Sequence, residues 1–246
     1  MPRFFVEETL APDTPLLIRG EDARHIALSL RMRVGDTLTL SDGEQMAECR
    51  LDEISPDAVL CSPITVTPAT GELPVSLRLY QGYPKGDKLE LIAQKATELG
   101  ASDILPFVGR RSVARPKQEK YDRLTERLSR IAREAAGQSG RAKLPKVSPP
   151  LSFAAALEDA AATCDAILFC YEDEHTRTLA DAVGEAKKIG AKTLGIFVGP
   201  EGGFAPEEAE SAISHGAFSV SLGARILRCE TAPIYALAAL GYAYEM

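Results

Sequence analysis

Apolar residues in the first seventy positions come in short runs: Phe4-Phe5-Val6, Leu16-Leu17-Ile18, Thr37 to Leu40, Met46 to Leu51 and Ala58 to Val66. Pro, Gly and Asp turns such as Ser41-Asp42-Gly43 bound them, so they predict short strands closing into a small β-barrel. One segment departs from this pattern. Glu21 to Met32 places Ala23, Ile26 and Leu30 on one helical face, with Arg24 and Arg31 turned away. Thr67 to Pro74 has linker composition, so the expected domains are 1–72 and 73–246.

Beyond the linker, strand-like and helix-like segments alternate, as in an α/β domain with a mostly parallel sheet. Strands are expected at Val75 to Gln81, Ile104 to Val108, Ala166 to Cys170, Leu194 to Val198 and Phe218 to Leu222. Asp87-Lys88-Leu89-Glu90 reads as a capping box opening a helix that carries Leu89, Ile92, Ala96 and Leu99 and stops at Gly100. A helix over Gln118 to Gln138 buries Tyr121, Leu124, Leu128, Ile131 and Ala135, with Lys120, Arg123, Arg127 and Arg130 in a stripe beside them. Further helices are expected at 152–162, 177–189, 206–215 and 231–243.

Composition narrows the class. With 45% hydrophobic and 26% charged residues over 246 positions, the chain is globular. No apolar run reaches the roughly 18 residues of a membrane span, and the N-terminus lacks a basic-then-apolar leader, so no membrane and a cytoplasmic location are expected. Five scattered cysteines (Cys49, Cys61, Cys164, Cys170, Cys229) without CxxC spacing imply reduced thiols and no metal.

The net charge of −7 argues at first against nucleic acid, but its distribution reverses that reading. Residues 1–72 carry 6 basic and 13 acidic side chains, 73–150 carry 16 and 8, and 151–246 carry 6 and 14. The middle surplus lies within 110–146, as expected for a localised surface that meets phosphate. A solvated helix face with salt bridges is the competing reading.

In a parallel sheet, ligands bind beyond the carboxyl ends of the strands. Three unusual loops leave such ends: Tyr171-Glu172-Asp173-Glu174, Gly199-Pro200-Glu201-Gly202-Gly203-Phe204, and Leu222 to Thr231, which contains Arg225, Arg228 and Glu230. Neither a P-loop nor GxGxxG is present. Glu201 stands where a phosphate would go, which favours a neutral or cationic ligand. The histidines, His25, His175 and His215, are expected to serve packing or the surface, with His25 able to touch RNA.

The GPEGGF loop, the LGARILRCETA segment and the final helix closely resemble the SPOUT methyltransferases. KGDKLELIAQKATELGA, the run from RRSVARPK to REAAGQSGR, and RHIALSLRMRVGD narrow the resemblance to the RsmE family. It covers nearly the whole chain. It implies a SPOUT-type parallel sheet with a C-terminal trefoil knot, preceded by a PUA-like β-barrel, and S-adenosylmethionine-dependent methylation of N3 of uridine 1498 in 16S rRNA. The implied cofactor-binding residues are Tyr171, Glu172, Gly199, Pro200, Glu201, Gly202, Leu222, Gly223, Ile226, Leu227 and Arg228. Arg228 is expected to hold a uracil carbonyl oxygen, while Glu230 or Glu201 orients it or accepts the N3 proton. RNA contacts are expected from Arg24, Arg31, Arg33, Arg110, Arg111, Arg115, Arg133, Gln138 and Arg141, with the small ribosomal subunit or its RNA as partner. A homodimer is implied. Cys229 stands where the family usually has Thr. Two readings stay open beside this one: a ribose 2′-O methyltransferase of the same fold, and a non-catalytic RNA-binding assembly factor.

Overall fold

The first strands and helix are β1 (Arg3–Phe5), β2 (Leu16–Arg19), α1 (Gly20–Arg24), β3 (Thr37–Ser41), β4 (Gln45–Ile54) and β5 (Ala58–Pro68) in the computed structural model, which describes residues 1–245. They form one sheet in the order β1-β3-β4-β5-β2, with β1 parallel to β3 and the other pairs antiparallel. The expected barrel does not close by strand pairing, because the edge strands β1 and β2 are not bonded to each other. Bulges at Glu48/Cys49 and Leu51/Glu53 increase the local twist instead. Period-two alternation works as expected: Leu38, Leu40, Ala47, Cys49, Leu51, Val59 and Cys61 are fully buried in one cluster.

The predicted N-terminal helix changes type midway. After α1 it becomes a π-helix over His25–Ser29, closed by the Leu30 amide donating to the His25 carbonyl at 2.9 Å. A wider turn shifts the angular phase of the residues C-terminal to it. Ala23 and Ile26 are buried as expected, whereas Leu30 is 41% exposed.

The remaining elements are β6 (Ser76–Gly82), α2 (Lys88–Glu98), β7 (Ala101–Val108), α3 (Tyr121–Ser139), β8 (Lys146–Val147), β9 (Leu151–Ser152), α4 (Phe153–Thr163), β10 (Ala166–Cys170), α5 (Leu179–Lys188), β11 (Thr193–Val198), α6 (Pro206–Ser214), β12 (Phe218–Val220) and α7 (Thr231–Glu245). Every strand pair is parallel, in the order β12-β10-β11-β6-β7-β8, with β9 also on β7. Both faces are covered, which is why these strands read as continuous apolar runs. Leu79, Leu168 and Ile196 face an aliphatic layer with residues of α2, α5 and α7. Their neighbours Tyr80, Phe169 and Phe197 face an aromatic layer with residues of α4 and α6.

Local capping explains several boundaries. Ser152 Oγ accepts from the Ala155 amide at 3.1 Å, and Thr178 and Asp181 form a reciprocal capping box at α5. The capping box expected at Asp87 does not form: the Asp87 carboxylate accepts no capping bond, and Glu90 turns to an ion pair with Arg127 of α3.

The chain divides into two units, Met1–Glu72 with Ala136–Leu144, and Leu73–Ala135 with Pro145 onward. The second break was not expected from the sequence. Residues 136–144 belong with the first unit because its polar groups hold their backbone. Ser41 Oγ donates to the Ala142 carbonyl at 2.7 Å, and Glu72 Oε1 accepts from the Ala142 and Lys143 amides at 2.9 and 3.0 Å.

Candidate active site and its relatives

The loops after β10, β11 and β12 converge with the start of α2 around a cavity of about 810 Å³. That volume lies within the roughly 300–1,000 Å³ range of small-molecule sites. Of the eleven residues expected to hold a cofactor, ten line it: Tyr171, Glu172, Gly199, Pro200, Glu201, Leu222, Gly223, Ile226, Leu227 and Arg228.

Gly202 is the exception. Its α-carbon faces Arg111, whose carbonyl oxygen would lie 2.9 Å from an added Cβ, so glycine serves backbone packing there. Its neighbour Gly203 is in the cavity wall instead, at φ +64 and against the Glu172 carboxylate, with which a Cβ would collide.

Aromatic packing fixes the Gly199–Phe204 loop. Phe204 is 2% exposed and meets Phe169 at 4.1 Å between ring centroids. On its other side, Gly82 lets the end of β6 approach the loop so closely that a Cβ would run into the Pro200 nitrogen. Arg111 adds a guanidinium bond to the Gly202 carbonyl at 3.3 Å and an ion pair with Glu172 at 3.6 Å.

Charged groups in the wall differ in how they are engaged. Arg228 is exposed, and its side chain has no hydrogen-bond or ion-pair partner among the described residues. Its backbone carbonyl opens α7 by accepting from the Thr231 and Ala232 amides at 2.8 and 2.9 Å. Glu201 and Glu230 do not orient it; both bond to Lys88 Nζ at 3.1 Å. Burial raises the pKa of each carboxylate, but backbone amides and Lys88 more than reverse that, so both end below the ordinary glutamate value. Their pairing with Lys88 replaces the role of orienting Arg228 that was expected of them. Glu174 is held further down, to about 2, by Thr176 and the Arg177 amide. Burial and the neighbouring Asp173 raise the Glu172 pKa, and Arg111 offsets them only in part.

Cys229 is 6% exposed and donates its thiol to Glu230 Oε2 at 3.2 Å, an interaction a threonine hydroxyl at this position can also make. Burial and Glu230 push that thiol up to about 12, so it stays protonated and unreactive. His175 lines the cavity, where packing or a plain surface position was expected for it. His25 and His215 keep to that expectation: His25 meets Phe4 edge-on and His215 bonds the Ser211 carbonyl. Lys88, Asp173, Ser221 and Arg225 also line the cavity. Lys88 escaped the sequence reading because it sits in a helix-start motif more than a hundred residues from its partners.

The residues expected to meet RNA fall into two groups. Arg24, Arg31, Arg33, Arg110, Arg111, Arg115 and Gln138 are exposed, and Arg133 is half-buried. Arg141 is 4% exposed, with its guanidinium on Glu72 at 2.6 Å, so it is removed from the RNA set. It cannot leave that partner without stranding a half-buried carboxylate. All five cysteines are free thiols, and no helix among the described residues is long and apolar enough to cross a membrane.

The RNA methyltransferase domain model matches residues 71–241, and the RNA methyltransferase PUA domain model matches 18–64. Ribosomal RNA small subunit methyltransferase E of Bacillus subtilis is 37% identical over all of this chain and 98% of its own length. The protein of that name from Mycobacterium bovis is 32% identical over 96% of this chain and 90% of its own. The crystal structure of the Neisseria gonorrhoeae ribosomal RNA small subunit methyltransferase E bound to S-adenosyl methionine is 28% identical. It superposes with a TM-score of 0.87 over 99% of this chain and 98% of that one. Matched in this way over its whole length, this chain belongs to the ribosomal RNA small subunit methyltransferase E family.

Proposed function

We propose that this protein transfers a methyl group from S-adenosylmethionine to N3 of a uridine, position 1498, in the 16S rRNA of the small ribosomal subunit. The observation that carries the reading is one loop, Leu222–Arg228, that presents apolar side chains and a partnerless guanidinium to the same cavity. Ile226 is 90% exposed in that wall, and with Leu222 and Leu227 it offers an apolar surface for adenine. Gly199 and Gly223 leave backbone open to the edge of a ring. The cavity also has the volume for such a ligand, so the residues present fit the cofactor.

When bound, S-adenosylmethionine supplies an electrophilic methyl group on a cationic sulfur. The chain must make the other partner nucleophilic. Uracil N3 carries a proton at neutral pH, and its loss leaves an anion shared with the flanking carbonyl oxygens. Arg228 stabilises that charge by donating to one of these oxygens, a charge-assisted bond inside a partly covered site. The proton leaves to water, because Glu201 and Glu230 are already bonded. The base must be turned out of its stack to reach the cavity, and the exposed Arg110, Arg111 and Arg115 supply phosphate contacts, Arg111 beside the Gly199–Phe204 loop.

The trefoil knot belongs to this proposal. It is supported by the path of the chain, which leaves β12 at one sheet edge beside β10 and returns to pack α7 against β6, β11 and α2. So do the homodimer, for which the apolar α7 with exposed Tyr235 and Tyr242 is suited, and a cytoplasmic location alongside ribosomes.

Primer extension on 16S rRNA from cells with and without the gene tests the reading. N3 methylation blocks the Watson–Crick edge, so a stop at uridine 1498 should appear only when the gene is present. A stop that persists without it overturns the assignment, and a methyl group found on ribose by mass spectrometry selects the 2′-O reaction.

A further inference from the structure

We propose that Lys88 is a positioning residue that fastens together the two loops of the cavity and thereby holds Arg228 in place for the acceptor base. The inference rests on the methyl-transfer reading above. Lys88 opens α2, where a cation meets the positive end of the helix dipole and gains nothing locally. Its ammonium finds its partners in the other two loops. Nζ lies 3.1 Å from Glu201 Oε1, in the loop after β11, and 3.1 Å from Glu230 Oε2, in the loop before α7. The Cys229 sulfur, at 3.6 Å, takes the remaining direction. An ammonium has three donors, so none is left for a substrate, and Lys88 acts through the loops.

The neighbouring geometry supports this role. Glu201 Oε1 also accepts from the Lys85 amide at 3.0 Å, so the β6–α2 turn holds the Gly199–Phe204 loop twice. Glu230 lies two residues beyond Arg228, whose carbonyl starts α7, so fixing Glu230 fixes the backbone that carries the free guanidinium. The other charged groups on the first turn of α2 are engaged elsewhere: Asp87 and Glu90 face Arg127 of α3. The groups that face Lys88 are therefore Glu201, Glu230 and the Cys229 thiol. Without the ammonium, two carboxylates that shared one nitrogen confront each other as like charges.

The test uses the full chain as Lys88→Met, Glu230→Gln and the double variant. Methyl transfer to small subunits should fall about 100-fold in Lys88→Met, the scale of a displacement of about 1 Å in a reacting group. It should recover at least about tenfold in the double variant, where the repulsion is gone. The ratio of Lys88→Met to unsubstituted activity should rise as pH is lowered from 8 towards 5, because protonating either carboxylate relieves the same repulsion. Amide hydrogen exchange of residues 199–204 and 228–232, followed by mass spectrometry, reads the loops without activity: it should quicken in Lys88→Met and slow again in the double variant. A double variant no better than Lys88→Met in both turnover and amide exchange overturns the role of Lys88. Absence of methyl transfer by the unsubstituted chain overturns the proposed function instead, and the exchange pattern still decides whether Lys88 fastens the loops.

Discussion

Two short segments carry arginines of similar sequence appearance and opposite fate. In Leu222–Glu230, Arg228 stands in a cavity wall with no partner. In Ala136–Leu144, Arg141 is 4% exposed and paired with Glu72, whose carboxylate also accepts two backbone amides. The difference shows that a count of basic residues measures how much positive charge a segment holds, not how much is free to meet a ligand. A buried guanidinium that already satisfies a half-buried carboxylate is part of the fold; one left open to a cavity is available for chemistry.

The sharpest way to break this comparison is Arg228→Ala. Turnover should fall about 100- to 1,000-fold, the usual loss of an oxyanion-type donor, while S-adenosylmethionine affinity in calorimetry stays nearly constant. Equal loss of both would make Arg228 a cofactor ligand only.

Arg141→Ala should do the reverse. It leaves the half-buried Glu72 without its cation, and unfolding in denaturant should show a loss of about 3 kcal/mol, with methyl transfer per folded molecule preserved. Combining it with Glu72→Gln should restore part of that stability.

The pair also sets a pH dependence. Burial raises the Glu72 pKa, but Arg141 and the backbone amides of Ala142 and Lys143 more than compensate, so the folded value lies below the unfolded one. Its stabilisation is therefore complete above the unfolded glutamate pKa of about 4.3 and is lost as pH falls through the lower folded value. Acid unfolding curves should show Arg141→Ala and the unsubstituted chain converging below about pH 4.

The smallest effect concerns salt. RNA affinity should fall steeply with salt concentration, and Arg110→Ala should reduce the slope of log K against log salt by about 0.7, the value for one single-strand phosphate contact. Arg141→Ala should leave the slope unchanged. A slope that drops equally in both variants would restore Arg141 to the RNA surface.

Much of the architecture was legible because it follows from local rules. The alternation at Leu79-Tyr80 and Ile196-Phe197 reports two buried faces, and Gly100 ends α2 at φ +89 as a C-terminal glycine should. The three loops stood out because Arg and Glu set between apolar runs are costly to bury. What stayed hidden depends on partners distant in sequence. Asp87 is not the cap its spacing promised, since Arg127 across from it draws the first turn of α2. Leu30 is exposed because one wide helical turn shifts its phase. Gly202 and Gly203 exchange the roles suggested by their order, a matter of which α-carbon faces Arg111 and which faces Glu172.

The sequence by itself determined most of the strands and helices, the basic middle segment, the family and ten of the eleven picked positions that line the cavity, because periodicity, turn residues and motifs are local properties. Only the tertiary structure decided which charges are engaged. Lys88, Glu201 and Glu230 meet across three loops, and Arg141 closes on Glu72. Electrostatic pairing depends on distances that chain folding sets and that separation along the sequence does not encode.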